Sequence, residues 1–168
     1  MINLNQQKGV GMVEVLVALL LLAIGVLGFS ALQLRAVEAT SEAMNQVQAM
    51  NLARDLSERM RVNRDGLLDY KKVATPKNCA NGDGAIFCTA KEMAEFDYKQ
   101  VSDKADDLGM QMAVLNCQGS TELKRKCIYV AWEGTTATNG TASPACTNGA
   151  AYIPNAKCII VEVYNYDD

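Results

Sequence analysis

From Val10 to Leu32 the chain is apolar at almost every position; the only strongly polar side chains in these 23 residues are Glu14 and Ser30. About 20 such residues carry a helix across a bilayer, so the stretch predicts a membrane span, preceded by a short polar leader, Met1 to Gly9. The span is unusual in holding a carboxylate near its start. An ionisable group in hydrocarbon is costly and marks a functional site by default; a Glu resting at headgroup depth is the plainer alternative. A conventional secretory signal has an apolar core of about 7–15 residues and a small-residue cleavage site. Here the run is longer and continues into Gln33-Leu34-Arg35.

Helical character continues beyond the span. Gln33 to Arg61 holds no Pro or Gly and is rich in strong helix formers. Ala36, Ala39, Ala43, Val47 and Met50 form one apolar row; Ala49, Ala53, Leu56 and Met60 form a second. Both have helix period, and the second is turned away from the first by over a quarter-turn. Either the later row packs on the chain's own domain and the earlier one on neighbours, or both wind along one core seam. The pattern predicts one helix over 10–62, about 80 Å long at 1.5 Å per residue. Gly25 and Gly28 interrupt it but are three apart, so they do not form the G-x-x-x-G association motif. Asn63-Arg64-Asp65-Gly66 supplies the stop.

Residues 71–89 read as a loop, with Pro76, Gly82 and Gly84. Thr89-Ala90-Lys91-Glu92 is a capping box that starts a second helix near Ala90. On that helix Ala94, Tyr98, Val101, Ala105 and Leu108 share a face, and Gly109 suits its end. Three strand candidates follow: Met110 to Cys117, Lys126 to Glu133 and Cys158 to Tyr164. The connections are too short for crossover helices, which predicts an antiparallel meander, with Gly134 to Lys157 as a long loop. A sheet this small needs a cover, and the Ala49–Met60 row is the natural one. The expected fold is therefore α+β: a long N-terminal helix, membrane-spanning in its first half at about 10–32, packed on a small antiparallel β-sheet. The expected segments are a 1–9 leader, the 10–62 helix and a 63–168 globular domain.

Composition narrows the chemistry. The 168 residues carry a net charge of −3 and no His. That removes the commonest general base and metal ligand and leaves no broad basic face for nucleic acid. Six Cys all lie beyond the span with no C-x-x-C spacing, which reads as a disulfide framework in an oxidising compartment. Six Cys allow fifteen pairings; the nearest-neighbour set is Cys79–Cys88, Cys117–Cys127 and Cys146–Cys158. Asp103, Asp106 and Asp107 read as a solvated face without a calcium-loop pattern, so no metal or cofactor is expected. Lys124-Arg125-Lys126 is a compact basic cluster, and a solvated turn is its plainer reading. Asn139-Gly140-Thr141 matches a glycosylation pattern of little weight here.

The string Lys8-Gly9-Val10-Gly11-Met12-Val13-Glu14-Val15-Leu16-Val17-Ala18-Leu19 resembles the class III signal of type IV pilins and pseudopilins. That resemblance implies a membrane-bound prepilin peptidase that cuts after Gly9 and methylates the new N-terminus at Val10, where many family members have Phe. It also implies that Glu14 promotes assembly. Four residues apart on a helix are neighbours, so the freed amine of Val10 can pair with Glu14 of its own chain or of the next subunit. Gly28-Phe29-Ser30-Ala31-Leu32-Gln33, Arg59-Met60-Arg61-Val62-Asn63-Arg64 and Tyr70 are similar to the PilV-like minor pilins. Membership implies a non-enzymatic subunit held in the bacterial inner membrane with its domain in the periplasm, then drawn into the extracellular pilus. It would pack against other minor pilins and the major pilin, prime pilus assembly, sit at the tip, and serve twitching motility and adhesion. Pili of this kind take part in DNA uptake, which makes DNA contact by Lys124-Arg125-Lys126 the sharper reading of that cluster. The rivals are a type II secretion minor pseudopilin, a tip adhesin using Gly134 to Lys157, and a tethered enzyme for which no acid pair is evident.

Overall fold

The computed structural model describes residues 11–80, 87–118, 125–141 and 144–164. In chain order the elements are α1 (Met12–Val62), a 3-10 helix (Arg64–Asp69), α2 (Ala90–Asp107), β1 (Gln111–Asn116), β2 (Lys126–Ala131), β3 (Thr136–Asn139), β4 (Ala145–Asn148), β5 (Ala151–Tyr152) and β6 (Cys158–Val163). The chain divides into two compact units, Met1–Ala43 and Met44–Asp168. Gly9, Val10 and Lys124 lie outside the described residues.

In the first unit the described residues from Met12 onward belong to α1, and every residue from Gly11 to Ser41 is exposed. Neither Gly25 nor Gly28 breaks the helix, and a Cβ at either would meet open space. Ser30 Oγ donates to the Val26 carbonyl at 2.9 Å and Thr40 Oγ1 to the Ala36 carbonyl at 2.8 Å. Bonding back to the preceding turn satisfies these hydroxyls within the helix itself.

The described residues of the second unit form two buried clusters, the larger one between the helices and the main sheet. Ala49, Leu52, Ala53, Leu56 and Met60 from the end of α1 join Tyr98, Val101 and Ala105 from α2 and Met112, Ile128, Val130 and Val163 from the sheet. The two apolar rows on α1 therefore do different things: Ala49, Ala53, Leu56 and Met60 are fully buried, whereas Ala36, Ala39, Ala43 and Val47 are exposed. Gly66 sits where only a glycine fits, because a Cβ there would lie 2.5 Å from the Ala90 carbonyl oxygen and 2.6 Å from Asn63 Nδ2. α2 opens on the capping box, with the Glu92 N–H donating to Thr89 Oγ1 at 3.2 Å and the Thr89 N–H to Glu92 Oε2 at 2.8 Å. It ends in a Schellman motif: Gly109 takes a left-handed φ of 69°, its N–H donates to the Asp106 carbonyl, and the Met110 N–H donates to the Ala105 carbonyl. That turn carries Leu108 out to solvent, so the buried face of α2 stops at Ala105 and Met110 takes the next core place.

The main sheet is antiparallel in the order β1-β2-β6. Its register aligns Met112, Val130 and Ile159 across one face, and Val114, Ile128 and Val161 beside them; this face meets the helices. The stretch from Gly134 to Lys157 is not simply a loop. It folds into a second three-stranded sheet, β3-β4-β5, with β3 and β4 parallel and β4 and β5 antiparallel. Ala137 and Cys146 of that layer pack on the opposite face of the main sheet, against Tyr129, Ala131 and Ile160. This explains why β2 is buried on both faces.

Candidate assembly site

The first candidate surface is the exposed length of α1. It is long and apolar enough to cross a membrane, and its most apolar stretch has no buried residue. Met12, Leu16, Leu20, Leu27, Leu32 and Leu34 all stand exposed. An apolar surface of this extent calls for lipid or partner helices around it. Glu14 lies in the first turn, where its N–H donates to the Gly11 carbonyl at 2.9 Å. The positive end of the helix dipole favours a carboxylate there.

The second candidate is the Arg59–Arg64 string, and the fold divides its residues by direction. Arg61, Val62 and Arg64 face solvent, with Arg61 on Glu58 at 2.8 Å. Arg59, Met60 and Asn63 face the seam between α1 and α2. Arg59 is the hub of that seam. Its Nε donates to Asp55 Oδ1 at 2.8 Å, and its Nη1 donates to Asp97 Oδ1 at 2.7 Å and Gln100 Oε1 at 2.8 Å. Its carbonyl accepts from the Tyr70 hydroxyl at 3.1 Å. Asn63 Nδ2 donates to the Ala90 carbonyl at 2.7 Å, fixing the start of α2. Tyr98 completes the ties by donating to the Met112 carbonyl on β1 at 3.0 Å.

The titration behaviour follows from these contacts. Burial pushes the Tyr70 hydroxyl up to about 12, so it remains a donor across the working pH range. Burial alone would raise the Asp55 carboxyl, but hydrogen bonds from Arg59 and Lys104 outweigh it and hold the group below the ordinary carboxylate value. Burial opposes charge on Arg59 too, and Asp55 and Asp97 together reverse that effect. Asp97 left a trace in the sequence that the face assignment passed over: it is a carboxylate between Ala94 and Val101 on the buried side of α2.

The remaining marked residues serve the domain's own structure. Sulfur–sulfur bonds join Cys79 to Cys88, Cys117 to Cys127 and Cys146 to Cys158. Cys117, Cys127 and Glu162 converge, but bridged sulfurs are poor metal ligands, and Glu162 is engaged by Arg125 at 2.8 Å. Arg125 also lies over the Tyr164 ring, and Lys126 donates to Asn116 Oδ1 at 2.8 Å. Two members of the basic cluster are thus committed to contacts within the domain. Asn139 Oδ1 accepts from Thr147 Oγ1 at 3.0 Å inside the second sheet.

A methylation-type N-terminal sequence, a helix whose apolar first part is exposed and a helix-on-sheet domain define the class of filament-forming pilins. The prokaryotic N-terminal methylation motif matches residues 4–30, and the family described as type IV pilin Tt1218 matches residues 31–99. Taken with the fold, these adjoining matches make the chain a type IV pilin. No curated protein and no solved structure matches it significantly. The motif implies processing by a prepilin peptidase and assembly with other pilins. Pilin families are structural rather than enzymatic.

Proposed function

We propose that this chain is a minor pilin of the PilV-like group, acting in a small complex that primes pilus assembly. It is made as a prepilin with one pass through the inner membrane and its domain in the periplasm. The peptidase cuts after Gly9 and methylates Val10. The amine of Val10 then pairs with Glu14 of a neighbouring subunit, because a carboxylate in hydrocarbon is far less costly when paired. The carrying observation is the continuous exposed apolar surface of α1, most of which falls within the methylation motif. Burial against equivalent helices would replace lipid with protein as the subunit moves into the filament. The pilus is favoured over a secretion pseudopilus because the type IV pilin match spans the Arg59–Arg64 string, whose Arg59 and Asn63 lock α1 to α2.

Deletion of the gene tests this reading. Loss of surface pili and twitching with normal enzyme secretion is the expected outcome. Intact piliation with lost secretion assigns the chain to the secretion apparatus. Cross-linking in cells should recover other pilins as its neighbours.

A further inference from the structure

A groove runs along α2, with the segment 72–78 as its other wall. The wider part encloses about 380 Å³ and is bounded by Thr75, Pro76 and Asn78 on one side and Phe96, Gln100 and Asp103 on the other. A narrower part of about 110 Å³ continues it past Tyr98 and Ser102 to Asp106. From Phe96 to Asp106 the helix rises about 15 Å, so the groove suits an elongated ligand. The wider part falls within the size range of small-molecule sites, which pair apolar lining with a few convergent polar groups.

Its polar groups have fixed orientations. Gln100 Oε1 accepts from Arg59, which leaves Nε2 as its donor. Asn78 Oδ1 accepts from the Ala80 N–H at 3.0 Å, which leaves Nδ2 as its donor. Amide N–H groups are thus available from both walls. Lys99 holds both Asp103 oxygens at 2.7 and 2.8 Å, so the middle of the groove carries no net charge, and Lys72 and Asp106 add one charge of each sign in the narrower part. Phe96, Pro76 and Ala74 supply apolar surface beside these donors.

An anionic polymer would gain no net cation here, because Lys72 and Lys99 are matched by Asp103 and Asp106. An acetamido sugar matches the groove instead. Its carbonyl accepts from the amide donors, and its methyl group lies against Ala74, Pro76 and Phe96. Its hydroxyls, each both donor and acceptor, meet Thr75 and Asp103. We propose that this groove binds a neutral saccharide built from N-acetylated amino sugars. This role adds ligand recognition to filament assembly, at a place distinct from the second sheet, and it stands whichever filament the subunit enters.

The test uses the full chain in a detergent without sugar headgroups, titrated with the N-acetylglucosamine trimer while amide shifts are followed by NMR. Saturable binding is expected, with shifts centred on residues 74–78 and 96–106. Maltotriose, neutral but without acetamido groups, should bind at least about tenfold more weakly. Phe96→Ala should weaken the trimer about tenfold. Asn78→Ala, at an exposed loop position that leaves the fold intact, should weaken it several-fold. Absence of saturation at about 10 mM, where even weak millimolar binding is visible, overturns the proposal. So does equal binding of both trisaccharides, or binding that neither variant changes.

Discussion

Replacing Arg59 by Met should remove about 2–4 kcal/mol of stability from the second unit. The aliphatic stem is kept, so packing changes little. What is lost is the cation between Asp55, Asp97 and Gln100. Exposed ion pairs contribute about 0–1 kcal/mol, and breaking a buried pair costs about 3–5 kcal/mol. Here the side chains of Arg59 and Asp97 are 26% and 12% exposed, between those limits but nearer the buried one. The main penalty is Asp97 left charged in a nearly closed seam. At about 3–5 °C per kcal/mol for a unit of this size, melting should fall by roughly 6–20 °C. Trp132 is the only tryptophan and is buried at 4% exposure, so its fluorescence reports urea unfolding of the full chain in detergent. The double variant Arg59→Met with Asp97→Leu should recover a large part of the loss, because no charge is then stranded. A loss below about 1 kcal/mol for Arg59→Met would refute the reasoning. So would a double variant no more stable than the single one.

Three further outcomes are expected. Glu14→Val should leave membrane insertion and leader cleavage intact while filament incorporation, scored by shearing and immunoblotting, falls steeply; normal incorporation would show that the carboxylate is dispensable. Gly66→Ala forces a Cβ against the Ala90 carbonyl and should cost about 1–3 kcal/mol in urea unfolding, whereas Gly28→Ala should leave the second unit unchanged. The urea midpoint should hold from pH 7 to about 5 and drop below about pH 4. Asp55 has a folded pKa below its unfolded one, so its contribution is complete above the ordinary carboxylate value and fades as pH falls through the folded value. Glu92 adds to the same trend through the Thr89 N–H and Lys77. Asp55→Asn should flatten part of the acid limb.

The helices were legible in the sequence because their signals are local. The capping box at Thr89 and the glycine at 109 mark the ends of α2, and the Ala49–Met60 spacing marks the face that α1 buries. The main sheet was legible for the same reason, since Cys-Ile-Tyr-Val-Ala and Cys-Ile-Ile-Val-Glu-Val read as strands on their own. The second sheet was not. Thr136-Ala-Thr-Asn and Ala145-Cys-Thr-Asn carry no apolar run, and they form strands because a tertiary surface, the outer face of β2, needs covering. The Arg59 hub was half legible. Its cationic string stood out, but its partners lie 38 and 41 residues away on α2, a distance at which spacing rules say nothing. Leu108 was misplaced for a related reason: the left-handed turn at Gly109 ends the helical phase before that residue can face inward.

The second sheet also gives one of the bridges a particular role. Strands of four, four and two residues are too short to persist alone. Their covalent tie to the main sheet is the bridge from Cys146 on β4 to Cys158 on β6. The helix-and-sheet layer does not use this bridge, and its outer covering is expected to depend on it. A chain carrying Cys146→Ser and Cys158→Ser should show rapid hydrogen exchange confined to 136–152, with α2 and β1 still protected; unchanged protection there would mean that packing alone holds the layer. On the expected outcome, a chain lacking this bridge would leave the outer face of β2, with Tyr129 and Ala131, uncovered.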